Sequence, residues 1–188
     1  MTLGRLSATC LILLAACAAA SGSAPGAAGR LPVSSASNGS VQPQRSPGSC
    51  HARGSGLYVL PDPRCTPGAV SPAVTQANLS STICRSGYTR GVRPPERITE
   101  TEKRQSLAAY GGHGSLSSYE YDHLVPLELG GATNDARNLW PEAGHVPNPK
   151  DALERRLNRL VCQHRLGLAS AQEEIASNWV AVYRRTFG

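Results

Sequence analysis

Residues 119–154 read YEYDHLVPLELGGATNDARNLWPEAGHVPNPKDALE, and the prediction of the fold starts from this stretch. Its opening residues alternate and favour β structure, which predicts a strand over 119–125. A loop with paired glycines is expected over 126–135, and a second short extended segment over 137–140. Asn148-Pro149 then predicts the cap and the first residue of a helix. The expected order is strand, loop, strand and helix.

Two neighbouring residues of this stretch carry groups that suit phosphodiester hydrolysis. A histidine has an unperturbed pKa of about 6.5, so His123 can act as a base at neutral pH. The Asp122 carboxylate is a hard oxygen ligand of the kind that Mg²⁺ or Mn²⁺ prefers. Neighbours on a strand point to opposite sides, so both can serve one site only where the strand end is irregular. Pro126 and Gly130-Gly131 favour such an irregular end.

The spacing of Asp122-His123, Pro126, Gly130-Gly131 and Asn138-Leu139 resembles the HNH endonucleases, the ββα-metal nuclease family. The wider stretch from about Cys84 to Tyr183 is similar to exported bacterial proteins that carry this core. The resemblance implies an α+β fold, with a small ββα-metal core joined by additional helices. It also implies a divalent-metal-dependent endonuclease that cleaves nucleic acid, with DNA favoured over RNA and Mg²⁺ or Mn²⁺ favoured over Zn²⁺.

The resemblance also implies roles for individual residues. His123 corresponds to the general base, and Asp122 corresponds to the first metal ligand. Asn138 corresponds to the middle asparagine, which braces the loop and the base through hydrogen bonds. Lys150 is expected to contact the scissile phosphate or the leaving oxygen, although a solvated lysine is an alternative.

The second metal ligand is the position at which this sequence departs from the family. Many members carry a histidine on the helix, and the corresponding place here offers Asn148. Asp151 is a reserve ligand, and His145 in the preceding loop is a weaker one. Asn148 and Asp151 could equally serve only to cap the helix.

Basic residues on the predicted helix indicate where nucleic acid could bind. Arg155, Arg156 and Arg159 follow the candidate site, and arginines on one element can track a phosphate backbone. A solvated polar face is the alternative. No base-reading motif is present, so low sequence specificity is expected.

The first 49 residues predict export and anchoring. Residues 1–16 are expected to be a lipoprotein signal peptide, because the apolar run is too short for a transmembrane helix and its end, Leu14-Ala15-Ala16-Cys17, resembles a bacterial lipobox. Cys17 is the expected lipid carrier, so the protein would be a membrane lipoprotein facing outward, with simple secretion as the alternative. Residues 17–49 are rich in Ala, Ser, Gly and Pro and predict a flexible tether.

The cysteines of the predicted domain, residues 50–188, also favour export. Four cysteines lie there, and an even number in an exported domain implies two disulfides. Cys50 and Cys65 bracket a short proline-rich loop, which favours a local bond and leaves Cys84 to pair with Cys162. A zinc site is the alternative, but the spacing typical of paired zinc cysteines does not occur.

Composition limits the remaining possibilities. The chain has 188 residues and a net charge of +6, which permits an anionic partner but does not prove one. Outside the core motif at 119–162, Thr99 and Glu102 have capping-box spacing that predicts a helix over 99–110.

A second hypothesis for the function is a non-catalytic HNH-like envelope lipoprotein that binds metal, anionic polymer or protein. A purely structural lipoprotein is a third, and an inhibitor protein as a partner stays open.

Overall fold

The computed structural model of the chain describes Met1 and residues 30–144 and 146–188. The fold is mixed α+β, with two small two-stranded sheets, packed helices and two disulfides. The strands and α-helices in chain order are β1 (Arg53–Ser55), β2 (Tyr58–Leu60), α1 (Tyr88–Val92), α2 (Glu96–Ala109), β3 (Tyr119–His123), β4 (Leu139–Ala143), α3 (Pro149–Cys162) and α4 (Leu168–Phe187). The predicted signal peptide after Met1, Cys17 and His145 lie outside the described residues.

The strand pair β3–β4 is antiparallel and runs in register from Tyr119 opposite Ala143 to His123 opposite Leu139. Strand β3 ends two residues earlier than predicted, because the Asn138 side chain bonds both the N–H and the C=O of Val125. Strand β4 begins two residues later than predicted. Asn138 donates its backbone N–H to Asp135 at 2.8 Å and therefore belongs to the preceding turn.

Helix α3 begins as predicted, with Asn148 as the cap and Pro149 as the first residue. Asn148 Oδ1 accepts from the backbone N–H of Asp151 at 3.1 Å, and Asp151 Oδ2 accepts from the backbone N–H of Asn148 at 2.7 Å. This reciprocal capping box satisfies two donors that the first helical turn would otherwise leave unpaired. The helix ends at Cys162.

The start of α2 differs from the prediction. The helix begins at Glu96, directly after Pro95, so Thr99 lies inside it and does not cap it. Thr99 Oγ1 donates to the carbonyl of Glu96, and Glu102 is fully buried. The proline pair at 94–95 is the stronger signal, because proline suits a helix start and cannot continue a preceding one.

The core lies between the β3–β4 pair and the helices α3 and α4. Trp140 of β4 and Trp179 of α4 are both buried. Leu153, Leu157 and Val161 form the apolar face of α3 and join the same cluster. Burial of each large apolar side chain contributes about 1.5–3 kcal/mol, so this face fixes α3 against α4 and the 127–129 turn.

Both predicted disulfides are present. Cys50 bonds Cys65, and Cys84 bonds Cys162, which ties the region before α1 to the end of α3. The two bonds are compatible with a protein outside the cytoplasm. None of the helices in the described part of the chain combines the length and the apolar character needed to cross a bilayer.

The N-terminal segment (residues 30–49) corrects the prediction of a free tether up to Ser49. Val70 exchanges backbone hydrogen bonds of 2.9 Å with Pro32 and Ser34, and Gly48 donates to Ala108 at the same distance. The prediction rested on the shortage of apolar side chains in this segment. Main-chain groups and the Asn38 side chain hold it instead, because hydrogen bonds can fix a segment that buries little apolar surface.

Candidate active site

Three carboxylates meet on one side of the β3–β4 pair. Glu120 and Asp122 lie two residues apart on β3 and therefore share a face, and Glu142 on β4 is directly opposite Glu120. One oxygen from each residue lies within 4.8 Å of the other two. Like charges placed directly across strands destabilise a sheet, so this cluster reduces stability unless a cation or protons compensate for it.

Lys150, in the first turn of α3, places its ammonium against this cluster. Its Nζ lies 2.7 Å from Asp122 Oδ2 and 2.5 Å from Glu154 Oε1, and it donates to the carbonyl of His123 at 2.7 Å. The side chain is only 1% exposed. The prediction that Lys150 contacts a scissile phosphate is therefore wrong, because the ammonium is buried and committed to three protein oxygens.

Burial and mutual repulsion shift the pKa values of this group. Burial, with Asp122 nearby, raises the pKa of Glu142 to about 9. Burial also raises the pKa of Glu154 to about 8, although the Lys150 ammonium opposes the shift. The pKa of Glu120 rises to about 7 through burial and the charge of Asp122. Burial alone would lower the pKa of Lys150, but the carboxylates of Asp122 and Glu154 hold it above its ordinary value.

The raised pKa of Glu142 predicts that stability falls as pH rises from 7 to 9. Its unfolded pKa is about 4.3, so the folded state binds more protons across this window, and the free energy of unfolding must decrease with pH. Glu142→Gln keeps the shape without a charge and is expected to flatten this slope by up to about 1.4 kcal/mol per pH unit. Urea unfolding at several pH values, with chelator present, measures it.

Glu100→Gln is the matched control, because Glu100 is an exposed glutamate on α2. This variant is expected to keep the wild-type slope. An unchanged slope in Glu142→Gln would show that Glu142 holds no proton in the folded state at neutral pH.

His123 is the last residue of β3, and a backbone carbonyl orients its ring. Nε2 lies 3.0 Å from the carbonyl oxygen of Thr133, to which only a protonated nitrogen can donate. The neutral ring therefore carries its proton on Nε2 and leaves Nδ1 as the proton acceptor. Burial lowers the pKa of His123 to about 4, so the ring is neutral at pH 7.

Asn138 holds the loop that follows His123. Its side chain is fully buried, and Oδ1 accepts from the N–H of Val125 at 2.9 Å and of Ala69 at 3.3 Å. Nδ2 donates to the carbonyls of Val125 and Ala132 at 2.9 and 3.1 Å. These bonds brace the loop, but the Asn138 side chain does not bond the His123 ring.

Gly131 explains why the loop needs paired glycines. A Cβ at this position would lie 1.8 Å from the carbonyl oxygen of Val125 and 2.9 Å from Asn138 Nδ2. Gly130 adopts a left-handed conformation with φ of 70°, which glycine adopts without strain. The glycines thus permit the close packing that the Asn138 bonds require.

The side chains of β3, the following loop and the start of α3 line one cleft of about 100 Å³. Asp122 and His123 both line it, so these two neighbours lie at one cleft beside the end of β3. The other charged residues that line the cleft are Arg93, Glu120, Glu128, Asp151 and Glu154. Carboxylates outnumber cations there, so the cleft favours a bound cation and repels a bare phosphate.

Asn148 and Asp151 correct the predicted set of metal ligands. Asn148 Oδ1 is used by the helix cap, and its Nδ2 lies 3.4 Å from Glu142 Oε2. Asp151 lines the cleft but accepts the backbone N–H of Asn148. The alternative of a helix cap therefore describes Asn148, and the oxygens that gather around Asp122 belong to Glu120 and Glu142.

The predicted nucleic-acid-binding arginines do not form one surface. Arg155 and Arg159 are exposed and line a groove with Arg85 beside the Cys84–Cys162 bond. Arg156 is half-buried and does not line this groove. Glu128 lines both the groove and the cleft, so the two are adjacent.

Sequence reasoning missed Glu120, Glu142 and Glu154. Glu120 could have been found from its two-residue spacing to Asp122, which places both on one face of a strand. Glu154 could have been found from its four-residue spacing to Lys150, which places both on one face of a helix. Glu142 depends on the register of β3 with β4, and the sequence does not specify that register on its own.

Comparison of the chain with protein-family models, with curated proteins and with solved structures gave no match.

Proposed function

We propose that the chain is a divalent-metal-dependent endonuclease of the HNH type that acts outside the cytoplasm. One observation supports this function most strongly. His123, with its tautomer set by the Thr133 carbonyl, lines the same cleft as the carboxylates of Glu120 and Asp122. A neutral imidazole base beside clustered hard oxygen ligands suits hydrolysis of a phosphodiester. The consecutive elements β3, β4 and α3 would form the ββα core.

The donor atoms of the cluster fit Mg²⁺ or Mn²⁺ better than Zn²⁺. Glu120, Asp122 and Glu142 offer only carboxylate oxygens, which are the ligands that hard divalent cations prefer. Glu120 Oε2 is buried and has no hydrogen-bond partner among the described residues. A bound cation would give this oxygen the positively charged partner that it lacks. These three residues, rather than Asn148, are thus the proposed ligands.

The residues of the cleft would divide the work of hydrolysis. His123 Nδ1 would take the proton from the attacking water, because Nε2 is held by Thr133. Burial lowers the pKa of His123 to about 4, which keeps the ring neutral but weakly basic, and an incoming phosphate anion would raise that pKa towards a value that suits a base. Asn138 would hold the Val125–Ala132 loop behind the base. A bound divalent cation would supply positive charge for the phosphate oxygens and the leaving oxygen.

Nucleic acid is the proposed substrate because a cationic groove lies next to the cleft. Arg85, Arg155 and Arg159 could each contact a backbone phosphate without reading the base sequence. DNA is favoured over RNA by the family resemblance. The proposed lipid on Cys17 would place this activity at the outer face of the bacterial membrane.

A second candidate is a binding protein that does not cleave. The Lys150 ammonium lies 2.7 Å from Asp122 Oδ2, so it competes with a metal ion for the carboxylate of the first proposed ligand. A cluster neutralised by its own lysine could serve stability alone, or it could hold a cation without activating water. A cleavage assay with nucleic acid distinguishes this candidate from the first, because only the first predicts cleavage.

The test uses the full chain with supercoiled plasmid, linear DNA and RNA, in Mg²⁺, Mn²⁺, Zn²⁺ or chelator. We expect metal-dependent nicking by the wild type and its loss in Asp122→Asn, whereas Glu100→Gln stays active. Thermal unfolding with and without Mn²⁺ measures binding in the same samples. Stabilisation by Mn²⁺ without cleavage by the folded wild type would support the second candidate. If Mn²⁺ neither stabilises the protein nor supports cleavage, both candidate functions are contradicted.

A further inference from the structure

The N-terminal segment (residues 30–49) crosses the loop that holds His123. Asn134 Nδ2 donates to the carbonyls of Ser37 and Ser40 at 2.8 and 2.9 Å. Gln42 donates its backbone N–H to the buried carboxylate of Glu102 at 2.7 Å. Several hydrogen bonds therefore fix this part of the segment against the 133–134 turn and helix α2.

Asn38 makes the contacts that reach the candidate site. Its Oδ1 accepts from the hydroxyl of Thr133, and its Nδ2 donates to the carbonyl of Val92 at 2.9 Å. Thr133 is the residue whose carbonyl holds His123 Nε2. Val92 directly precedes Arg93, which lines the cleft with His123. The Asn38 side chain thus links the residue that holds the His123 ring to the residue that precedes Arg93.

We propose that Asn38 and Thr133 are positioning residues, through which the N-terminal segment sets the orientation and the tautomer of His123. The Thr133 carbonyl can select the Nε2–H form only while its peptide stays at hydrogen-bond distance from the ring. Thr133 lies in a turn outside regular secondary structure, and the bond from its hydroxyl to Asn38 joins this residue directly to the N-terminal segment. The catalytic consequence of this inference rests on the proposed function, but the effect on the ring does not.

Four variants of the full chain test the inference. Asn38→Ala removes both contacts, whereas Asn38→Asp keeps an acceptor for the Thr133 hydroxyl and loses the donor to Val92. Thr133→Val removes the hydroxyl with little change in shape, and Thr133→Ser restores it. Ser35→Ala is the control, because Ser35 is an exposed residue of the same segment.

The first readout is the ¹⁵N spectrum of the His123 ring at pH 7, which distinguishes the two neutral tautomers without any cleavage. We expect the Nε2–H form in the wild type, in Thr133→Ser and in Ser35→Ala. A mixture of tautomers is expected in Asn38→Ala and Thr133→Val, with a smaller change in Asn38→Asp.

The second readout is the kinetics of plasmid nicking. Asn38→Ala and Thr133→Val are expected to lower kcat by about 10-fold with little change in KM, because a misplaced base affects the reaction rather than binding. An unchanged ring spectrum in both folded variants would overturn the inference even if the wild type cleaves DNA. An inactive wild type whose ring spectrum still responds would overturn the proposed function alone.

Discussion

His123→Ala is expected to lower the rate of metal-dependent plasmid nicking by about 10²- to 10⁴-fold, the usual contribution of a general base. The structure gives the reason. Nε2 is committed to the carbonyl of Thr133, so Nδ1 is the ring nitrogen left to accept a proton. Removal of the ring leaves the carboxylate cluster of Glu120, Asp122 and Glu142 in place. Binding of Mn²⁺, measured by thermal unfolding, should therefore persist.

Two further variants separate the base from the fold. His123→Gln can keep a donor for the Thr133 carbonyl but offers no basic nitrogen, so it is expected to be as inactive as His123→Ala. His113→Ala removes an exposed histidine and should retain the wild-type rate. A rate within threefold of wild type in His123→Gln would exclude His123 as the base.

The pH dependence of nicking gives an independent check on the same residue. The pKa of His123 in the free protein is about 4, so protonation of the ring should not reduce kcat/KM between pH 7 and pH 5.5. The carboxylates must lose protons to bind a metal, and the pKa values of Glu142 and Glu120 are raised to about 9 and about 7. Any fall in rate below pH 7 at limiting metal should therefore disappear when metal is added in excess.

Local signals predicted the parts of the site that depend on neighbours in sequence. The Asn148-Pro149 start of α3 was predictable because capping depends on residues within one helical turn. The strand at 119–123 was predictable from alternation, and the disulfides followed from a short loop and elimination. In each case the residues that determine the structure lie close together, or the number of choices is small.

Contacts between distant segments were not predictable in this way. Glu142 joins Glu120 only through the register of β3 with β4, which the turn at 135–138 sets. The burial of Lys150 was not predicted, because lysine is rarely buried and the carboxylates of Asp122 and Glu154 that pair with it become its partners only in the fold. Asn38 lies in a stretch whose composition is typical of disorder, yet its amide finds partners 54 and 95 residues away.

Lys150→Met is expected to lower the free energy of unfolding by about 3–5 kcal/mol at pH 7, the usual cost of removing one partner from a buried ion pair. Methionine nearly fills the same volume, so the loss reports charge rather than a cavity. The Asp122 and Glu154 carboxylates would lose their nearest cation, and the carbonyl of His123 would lose its donor. Urea unfolding measures the change, and Lys103→Met on α2 is the control because Lys103 is the other lysine of the chain.

The pH dependence of this variant distinguishes lost charge from lost packing. The raised pKa of Lys150 means that its charge stabilises the fold fully below the unfolded pKa of about 10.4 and is lost only above it. Between pH 9 and pH 5 the wild-type ammonium is therefore constant, whereas the carboxylates left unpaired in Lys150→Met gain protons as pH falls. The deficit should shrink towards pH 5, and Mn²⁺ should stabilise Lys150→Met more than the wild type because it replaces the missing positive charge. A deficit that is the same at every pH and indifferent to Mn²⁺ would assign Lys150 a packing role and weaken the case for a cation in this cluster.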